Sequence, residues 1–397
     1  MRTEPELGAK AVPAQTGMDA HCKRVGVAAV QLSKRIGWSA ARQRLVREAA
    51  EAHHQGVHPR DSHMIRRLTL QLWGYSGKAG AARDTANARN DIDDLIELCC
   101  CFVRRWEFMP YEMISFADII SELRGMSADG FFPRKSVEAL AMVPAIGLPQ
   151  VKKIVSRMPV FPAIAMRAMK MSQDRNATAS HLEYLINSDA SLAKEILSAT
   201  NSQLHTTVLP VCTIRQAVVR LGMEECCRIV AATAFRSMFP SPTLRPFWNH
   251  SLEVARIVET LARSTGKHDP AEAFLAGLMH DVGLLAIWRP RYASLLKQGC
   301  EPMFAEVILC GLDHTQAGRE ILAHWRLPQR LREAVAFHHQ PEKTNSALAH
   351  MLYLGEHASD SAEDAPSRAR LERALQHCGL DHQLLQSLPC FHVNSAC

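Results

Sequence analysis

The sequence lacks several patterns that mark specialised classes of protein. No apolar run approaches the roughly 20 residues that a membrane-spanning helix needs, and residues 1–8 lack the apolar core of a secretion signal. Glycine and proline number 20 each and follow no period, which excludes collagen-like and low-complexity chains. We therefore expect a globular protein that is cytoplasmic and has no membrane partner.

Cysteines with the spacing of a metal site are also missing. The chain has 12 cysteines but no C-x-x-C, since three are consecutive at 99–101 and two are adjacent at 226–227. Free cysteine is among the most buried residue types in proteins. The pattern favours reduced cysteines packed in the core.

The net charge of +6 is modest for 397 residues. Up to Arg67 there are 12 Lys and Arg against 6 Asp and Glu, so the whole excess lies in that first stretch. Because it is not concentrated in runs, we interpret it as a solvated basic face and do not expect a nucleic-acid partner.

Helical periodicity runs through the chain, and no segment alternates as a strand does. We predict an all-α protein, a multi-helix bundle with an additional N-terminal helical domain. Prolines and a glycine between Val143 and Pro149 predict a domain boundary, where limited proteolysis should release a folded fragment. The predicted parts are a mobile tail over 1–20, an N-terminal helical domain over 21–145, a second domain over 148–360 and a helical extension over 361–397. Within the first domain, helices are predicted over 25–54, 64–73 and 91–103, with a loop over 74–90.

An adjacent histidine and aspartate, His280 and Asp281, stand inside a very apolar stretch. Asp269 as N-cap, Glu272 as its capping-box partner and Pro290 as a stop predict one helix that carries the pair into the interior. An unpaired carboxylate in apolar surroundings is costly, so the pair must find partners, and a divalent metal ion is the most economical one.

Five more potential ligands accompany this pair on predicted helices. His250 lies near the start of one helix, and His314 follows Asp313 in the first turn of another, where the helix dipole keeps the imidazole neutral. The other three are His338, His339 and Glu356. Seven nitrogen and oxygen donors without a thiolate suit Mn, Fe or Mg better than structural zinc. A hydrogen-bonded network of the same residues without metal is the alternative.

Three segments that contain five of these seven residues resemble the HDOD family, an output-domain branch of the HD superfamily. They are Trp248-Asn-His-Ser251, Ala276-Gly-Leu-Met-His-Asp-Val-Gly283 and His338-His-Gln-Pro341, and the similarity covers about Leu148 to Asp360. It implies a helical bundle in a bacterial signal-transduction protein tied to stress, motility or cyclic di-GMP circuits. Signalling proteins are the implied partners, with a nucleotide as a further ligand.

The pattern is also similar to HD-GYP phosphodiesterases, which cleave cyclic di-GMP at a site of two or three metals. That resemblance maps their ligands onto the seven residues above, with Glu356 where an aspartate is expected. Leu284 stands in place of a lysine that could contact phosphate, and no Gly-Tyr-Pro follows His339. We expect a non-catalytic regulator, with a metal-dependent phosphohydrolase acting on a cyclic dinucleotide or other nucleotide as the alternative. Asp281→Ala is expected to cost stability, as in a buried network, rather than turnover.

A fainter similarity to the C-terminal part of an HD-GYP domain covers residues 48–54, 109–124 and 130–140. No His-Asp pair precedes these segments, so no catalysis is expected there. A decayed remnant of such a domain and an unrelated helical interaction module both remain open.

Overall fold

The computed structural model describes residues 14–53, 91–108, 115–159, 161–186, 190–202, 210–239, 242–288, 290–359 and 368–387. These residues form helices and contain no β-strand, which confirms the all-α class. The helix predicted over 64–73 and the loop predicted over 74–90 lie outside the described residues. Residues 14–20 were expected to belong to a tail but begin the first helix, because no proline interrupts the chain from Ala14 onwards.

The described residues contain 21 α-helices and two 3-10 turns. The helices before residue 210 are α1 (Ala14–Arg35), α2 (Ala40–Ala52), α3 (Asp91–Phe108), α4 (Phe116–Ala128), α5 (Arg134–Ala141), α6 (Leu148–Val155), α7 (Ala163–Gln173), α8 (Ala179–Ile186) and α9 (Ala190–Ser202). Those after it are α10 (Ile214–Leu221), α11 (Met223–Arg236), α12 (Arg245–Thr265), α13 (Pro270–Met279), α14 (Leu284–Ile287), α15 (Pro290–Leu296), α16 (Pro302–Cys310), α17 (His314–His324), α18 (Gln329–Phe337), α19 (Ala347–Ser359), α20 (Arg368–Cys378) and α21 (His382–Ser387). The 3-10 turns are Pro242–Leu244 and Pro341–Lys343.

The chain divides into two compact units. The first contains Met1–Leu148 and Arg289–Asp313, and the second contains Pro149–Trp288 and His314–Cys397. In the first unit α1 packs against α2 and α3, and α4 packs against α5. All described cysteines are reduced, and all but Cys212 are buried, as expected of cysteines that fill the core.

Residues 289–313 depart from the expected continuous second domain, because the structure groups them with the first unit. The ring of Phe304 lies 5.2 Å from that of Trp106 and 6.3 Å from that of Phe102, measured between centroids. The amide of Ala145 donates to the carbonyl of Leu309 at 2.8 Å. The sequence pattern could not show this, because these partners are distant along the chain.

Because residues 289–313 belong to the first unit, we expect the same substitution in them to have different effects in the whole chain and in a fragment that begins at residue 149. Phe304 is fully buried in the whole chain, so Phe304→Ala should destabilise it by about 3 kcal/mol. In the fragment Phe304 has lost Phe102 and Trp106, so the same change should leave the melting temperature unaltered or reduce aggregation. Thermal unfolding of the four proteins tests this, and an equal loss in both backgrounds would contradict the assignment of 289–313.

The second unit is built around α12, which packs against α13 and α19. Glycines in α13 and α19 allow the backbones of these helices to approach α12 closely. A Cβ at Gly277 would overlap the backbone of Ala255, and one at Gly355 would lie 2.5 Å from Val258 Cγ2. The helices α17, α18 and α19 pack successively against one another. These contacts bring the ends of five helices towards one region of the unit.

The stretch Pro270–Ile287 is the apolar run that contains the His-Asp pair. It has a mean hydropathy of 1.3 over 18 residues, enough to pass as a membrane span by length and composition. However, 83% of it is buried inside the protein. The stretch therefore lies in the core of the second unit, where it forms α13, a turn and α14.

Candidate metal centre

The structure brings all seven predicted ligands together in the second unit. His250 lies on α12, His314 is the first residue of α17, and Glu356 lies on α19. The remaining four follow the ends of two helices: His280 and Asp281 after α13, and His338 and His339 after α18.

The predicted continuous helix through His280 is wrong, because α13 ends at Met279 and α14 begins at Leu284. Between them the amides of Val282 and Leu284 bond to carbonyls three residues back, at 3.1 and 3.0 Å. This tighter turn places His280 and Asp281 at the end of α13. Asp269 caps the helix as predicted, whereas Glu272 pairs with Arg330.

The ligand atoms form two neighbouring groups, within each of which they lie no more than 4.8 Å apart. One group is His250, His280, Asp281 and Glu356, and the other is His314, His338 and His339. Asp281 connects the groups, with Oδ2 3.5 Å from His280 Nε2 and Oδ1 3.4 Å from His314 Nε2. Glu356 does the same, with Oε1 3.0 Å from His280 Nε2 and Oε2 3.1 Å from His339 Nδ1. Each carboxylate thus offers one oxygen to each group.

Backbone carbonyls fix the orientation of two of the imidazoles. His280 Nδ1 lies 2.7 Å from the carbonyl of Gly277, and His338 Nδ1 lies 2.7 Å from that of Val335. A carbonyl only accepts, so Nδ1 of each ring carries the proton and donates. The lone pair of the neutral ring is then on Nε2, which faces the other ligands. The sequence pattern does not reveal these carbonyls, although both lie three residues before their histidine at a helix end.

Among the inward-facing nitrogens, His314 Nε2 lies 2.9 Å from His339 Nε2, close enough for one ring to donate to the other, whereas His280 Nε2 lacks such a bond. Burial lowers the pKa of His338 well below its usual value, so its Nε2 is an acceptor. That atom lies 3.4 Å from His314 Nε2 and 3.8 Å from Glu356 Oε1. His280 Nε2 is buried and makes no hydrogen bond of acceptable geometry, although Glu356 Oε1 lies 3.0 Å away. A cation between His280 Nε2 and Glu356 Oε1 would satisfy both atoms.

Both carboxylates are ionised despite their burial. Burial alone would raise the pKa of Asp281, but His280 and His314 together lower it. Burial would likewise raise the pKa of Glu356, and His339 with its neighbours lowers it well below its usual value. Two carboxylates and five imidazoles are the donor set of a hard or borderline divalent ion. The residues present therefore fit the divalent metal that the sequence predicts.

One edge of the cluster reaches solvent. The rings of His280 and His338 are fully buried, whereas the side chains of His250 and His339 are 27% and 28% exposed. Leu284, at the position of the HD-GYP lysine, is buried. A small ligand could therefore reach the centre past His250 and His339, but Leu284 offers it no positive charge.

Two glycines hold His314 against the His-Asp turn. A Cβ at Gly283 would overlap the carbonyl oxygen of His314 and would lie 2.7 Å from the amide nitrogen of Gly318. A Cβ at Gly318 would lie 2.9 Å from Val335 Cγ1. The sequence pattern contained both glycines, but their role is visible only where the backbones meet.

Comparison with known families matches the HDOD domain to residues 158–341. These residues form an HDOD domain. The match contains six of the seven ligands, and Glu356 follows it on α19. The HDOD domain also includes residues 289–313, which pack within the first compact unit.

Individual relatives agree with the HDOD fold. The crystal structure of an HDOD domain protein from Geobacter sulfurreducens superposes with a TM-score of 0.51 at 23% identity, covering 60% of this chain and 92% of that one. This similarity shows the fold. A candidate phosphohydrolase from Shewanella amazonensis is 25% identical over 60% of this chain and 92% of its own, but its TM-score of 0.46 is too low to support an inference.

An uncharacterised protein of Treponema pallidum is 20% identical over 196 residues. The matched region is 47% of this chain and 38% of that protein. The chain therefore spans well under half the length of this curated relative.

Proposed function

We propose that this protein is a signalling regulator of the bacterial type, in which the HDOD domain binds divalent metal ions and presents the metal-bound state to partner proteins. Signalling proteins in the cytoplasm are the proposed partners, and a nucleotide is the proposed small ligand. The first unit would supply partner specificity or self-association. These roles build on the HDOD fold and on the ligand cluster.

The observation that carries the metal-binding role is the buried Nε2 atom of His280. Its Nδ1 donates to Gly277, and its Nε2 faces the carboxylate of Glu356 without a usable hydrogen bond. A self-sufficient hydrogen-bonded network, the alternative to a metal site, would supply a donor at this point. A divalent cation satisfies both the nitrogen and the carboxylate.

The shared carboxylates favour two adjacent ions rather than one. Asp281 and Glu356 each offer one oxygen to the His250 and His280 group and the other to the His314 and His339 side. Manganese, iron and magnesium suit this nitrogen and oxygen donor set. Bound ions would neutralise the carboxylates and polarise a phosphoryl oxygen. His250 and His339 would orient a ligand at the open edge.

The same carboxylate arrangement favours metal-dependent phosphoester hydrolysis as a second candidate function, since two-metal hydrolases hold their ions 3.5–4 Å apart at about this ligand spacing. The buried Leu284 opposes it, because no lysine stands there to contact phosphate. Binding without turnover is therefore the stronger proposal.

A phosphodiesterase assay on the manganese-loaded whole chain separates the two functions. We expect cyclic di-GMP and bis-p-nitrophenyl phosphate to be cleaved no faster than in manganese buffer alone. An Asp281→Ala chain prepared in parallel controls for contaminating enzymes. Cleavage by the wild type that this variant lacks would replace the regulator proposal with the hydrolase.

A further inference from the structure

A second cluster of ligand side chains lies in the first unit, and the function proposed above does not use it. It consists of His21 on α1, His53 after the end of α2, and Cys100 on α3. One ligand atom from each residue lies within 4.8 Å of the other two. The three residues lie on or directly after three different helices, so the packing of the unit brings them together.

Glu107 fixes the orientation of His21. His21 Nδ1 lies 2.7 Å from Glu107 Oε2, and Arg24 Nη1 holds the other oxygen of that carboxylate at 2.7 Å. Burial would raise the pKa of Glu107, but His21 and Arg24 lower it, so the group is ionised and accepts. His21 Nδ1 therefore donates, and its Nε2 faces Cys100 Sγ at 3.4 Å. A carboxylate that holds the outer nitrogen of a histidine is the usual support for a metal ligand.

A backbone carbonyl fixes the orientation of the His53 ring, as Glu107 does for His21. Its Nδ1 hydrogen-bonds to the carbonyl of Ala50, which leaves the lone pair on Nε2. Burial lowers the pKa of His53 to about 4, so the ring is neutral at pH 7. The centroids of the His21 and His53 rings lie 5.7 Å apart.

We propose that His21, His53 and Cys100 bind one zinc ion that joins α1, α2 and α3. The separation of 3.4 Å between His21 Nε2 and Cys100 Sγ matches the value of about 3.5 Å that tetrahedral zinc imposes between a nitrogen and a sulfur ligand. Two imidazoles and a thiolate favour zinc, in contrast to the metal centre of the second unit, which has no thiolate. The fourth position is open to water or another ligand.

Zinc binding at this cluster should release one proton. Burial raises the pKa of the Cys100 thiol to about 11, even though Arg104 lowers it, so the sulfur is protonated at pH 7 without metal. Zinc takes the place of that proton, because only the thiolate binds the metal. The metal-free alternative is a weak S–H···N bond from Cys100 to His21 across the same distance.

Cobalt substitution of the whole chain tests the site, because a cobalt–thiolate bond gives a sulfur-to-metal charge-transfer band in the near ultraviolet. We expect the band to saturate at about one cobalt per chain, since the site has one thiolate. Cys100→Ala should remove it, and Cys99→Ala should keep it, since Cys99 is the equally buried neighbour. Asp281→Ala should also keep it, which separates this site from the proposed function.

His53→Gln provides a second variant in case Cys100→Ala fails to fold, because His53 is only half-buried at the end of α2. It should weaken cobalt binding by at least about tenfold, judged by the cobalt concentration that half-saturates the band. Absence of the band in the wild type would overturn the proposal. So would its survival in Cys100→Ala, its loss in Asp281→Ala, or unchanged affinity in His53→Gln.

Discussion

Replacing Asp281 with alanine should lower the free energy of unfolding of the manganese-loaded protein by about 3 kcal/mol. The carboxylate lies 3.5 Å from His280 Nε2 and 3.4 Å from His314 Nε2, so its loss removes a ligand from both groups. Urea unfolding in manganese and in excess chelator measures the effect. His324→Ala is the matched control, an exposed histidine of α17 whose loss should cost less than about 0.5 kcal/mol.

The chelator decides what kind of centre this is. Without metal both proteins lack the bonds between the ion and its ligands, so the loss of Asp281 removes only its contacts with His280 and His314. The difference in free energy of unfolding between variant and wild type should then fall well below about 3 kcal/mol. A cost that stays at about 3 kcal/mol in chelator would show a hydrogen-bonded network and contradict the metal assignment.

Gly283→Ala should destabilise the protein by about 3 kcal/mol or more and weaken metal binding at the same time. The new Cβ would overlap the carbonyl oxygen of His314 and crowd the amide of Gly318, and both are backbone atoms that no rotamer change can move. The turn and α17 must therefore separate, which displaces His314 from Asp281.

Gly125→Ala is the control for this substitution, because Gly125 lies in α4 with no atom within 4 Å of an added Cβ. It should stabilise the chain by about 0.5–1 kcal/mol through the greater helix propensity of alanine. Urea unfolding and manganese titration of both variants test the prediction. A Gly283→Ala protein with wild-type stability and affinity would contradict the close approach of the turn to α17.

The sequence predicted the members of the site better than their geometry. His280 and Asp281 stood out because a histidine and a carboxylate in an apolar stretch need partners, and the motif supplied the order of the other ligands. The pattern could not show that the helix stops at Met279, because helical periodicity continues beyond it. Nor could it show which imidazole nitrogen donates, since that depends on the carbonyls of Gly277 and Val335.

Long-range packing accounts for the remaining differences. Residues 289–313 have the same apolar helical pattern as their neighbours, and their contacts, among them those of Phe304 and Leu309, place them with the first unit. The cysteine at position 100 lacks metal-site spacing in the sequence, because its partners His21 and His53 lie on other helices. Both features depend on residues far apart in the chain, which spacing rules do not detect.

The metal content of the whole chain tests the central claim most directly. Elemental analysis after manganese reconstitution and removal of unbound metal should give about two manganese ions per Cys100→Ala chain, a background that lacks the proposed zinc site. Adding Asp281→Ala should leave at most about one, since each group loses a ligand. A Cys100→Ala chain that is folded but retains less than about a tenth of an equivalent of manganese, iron or magnesium would contradict the account.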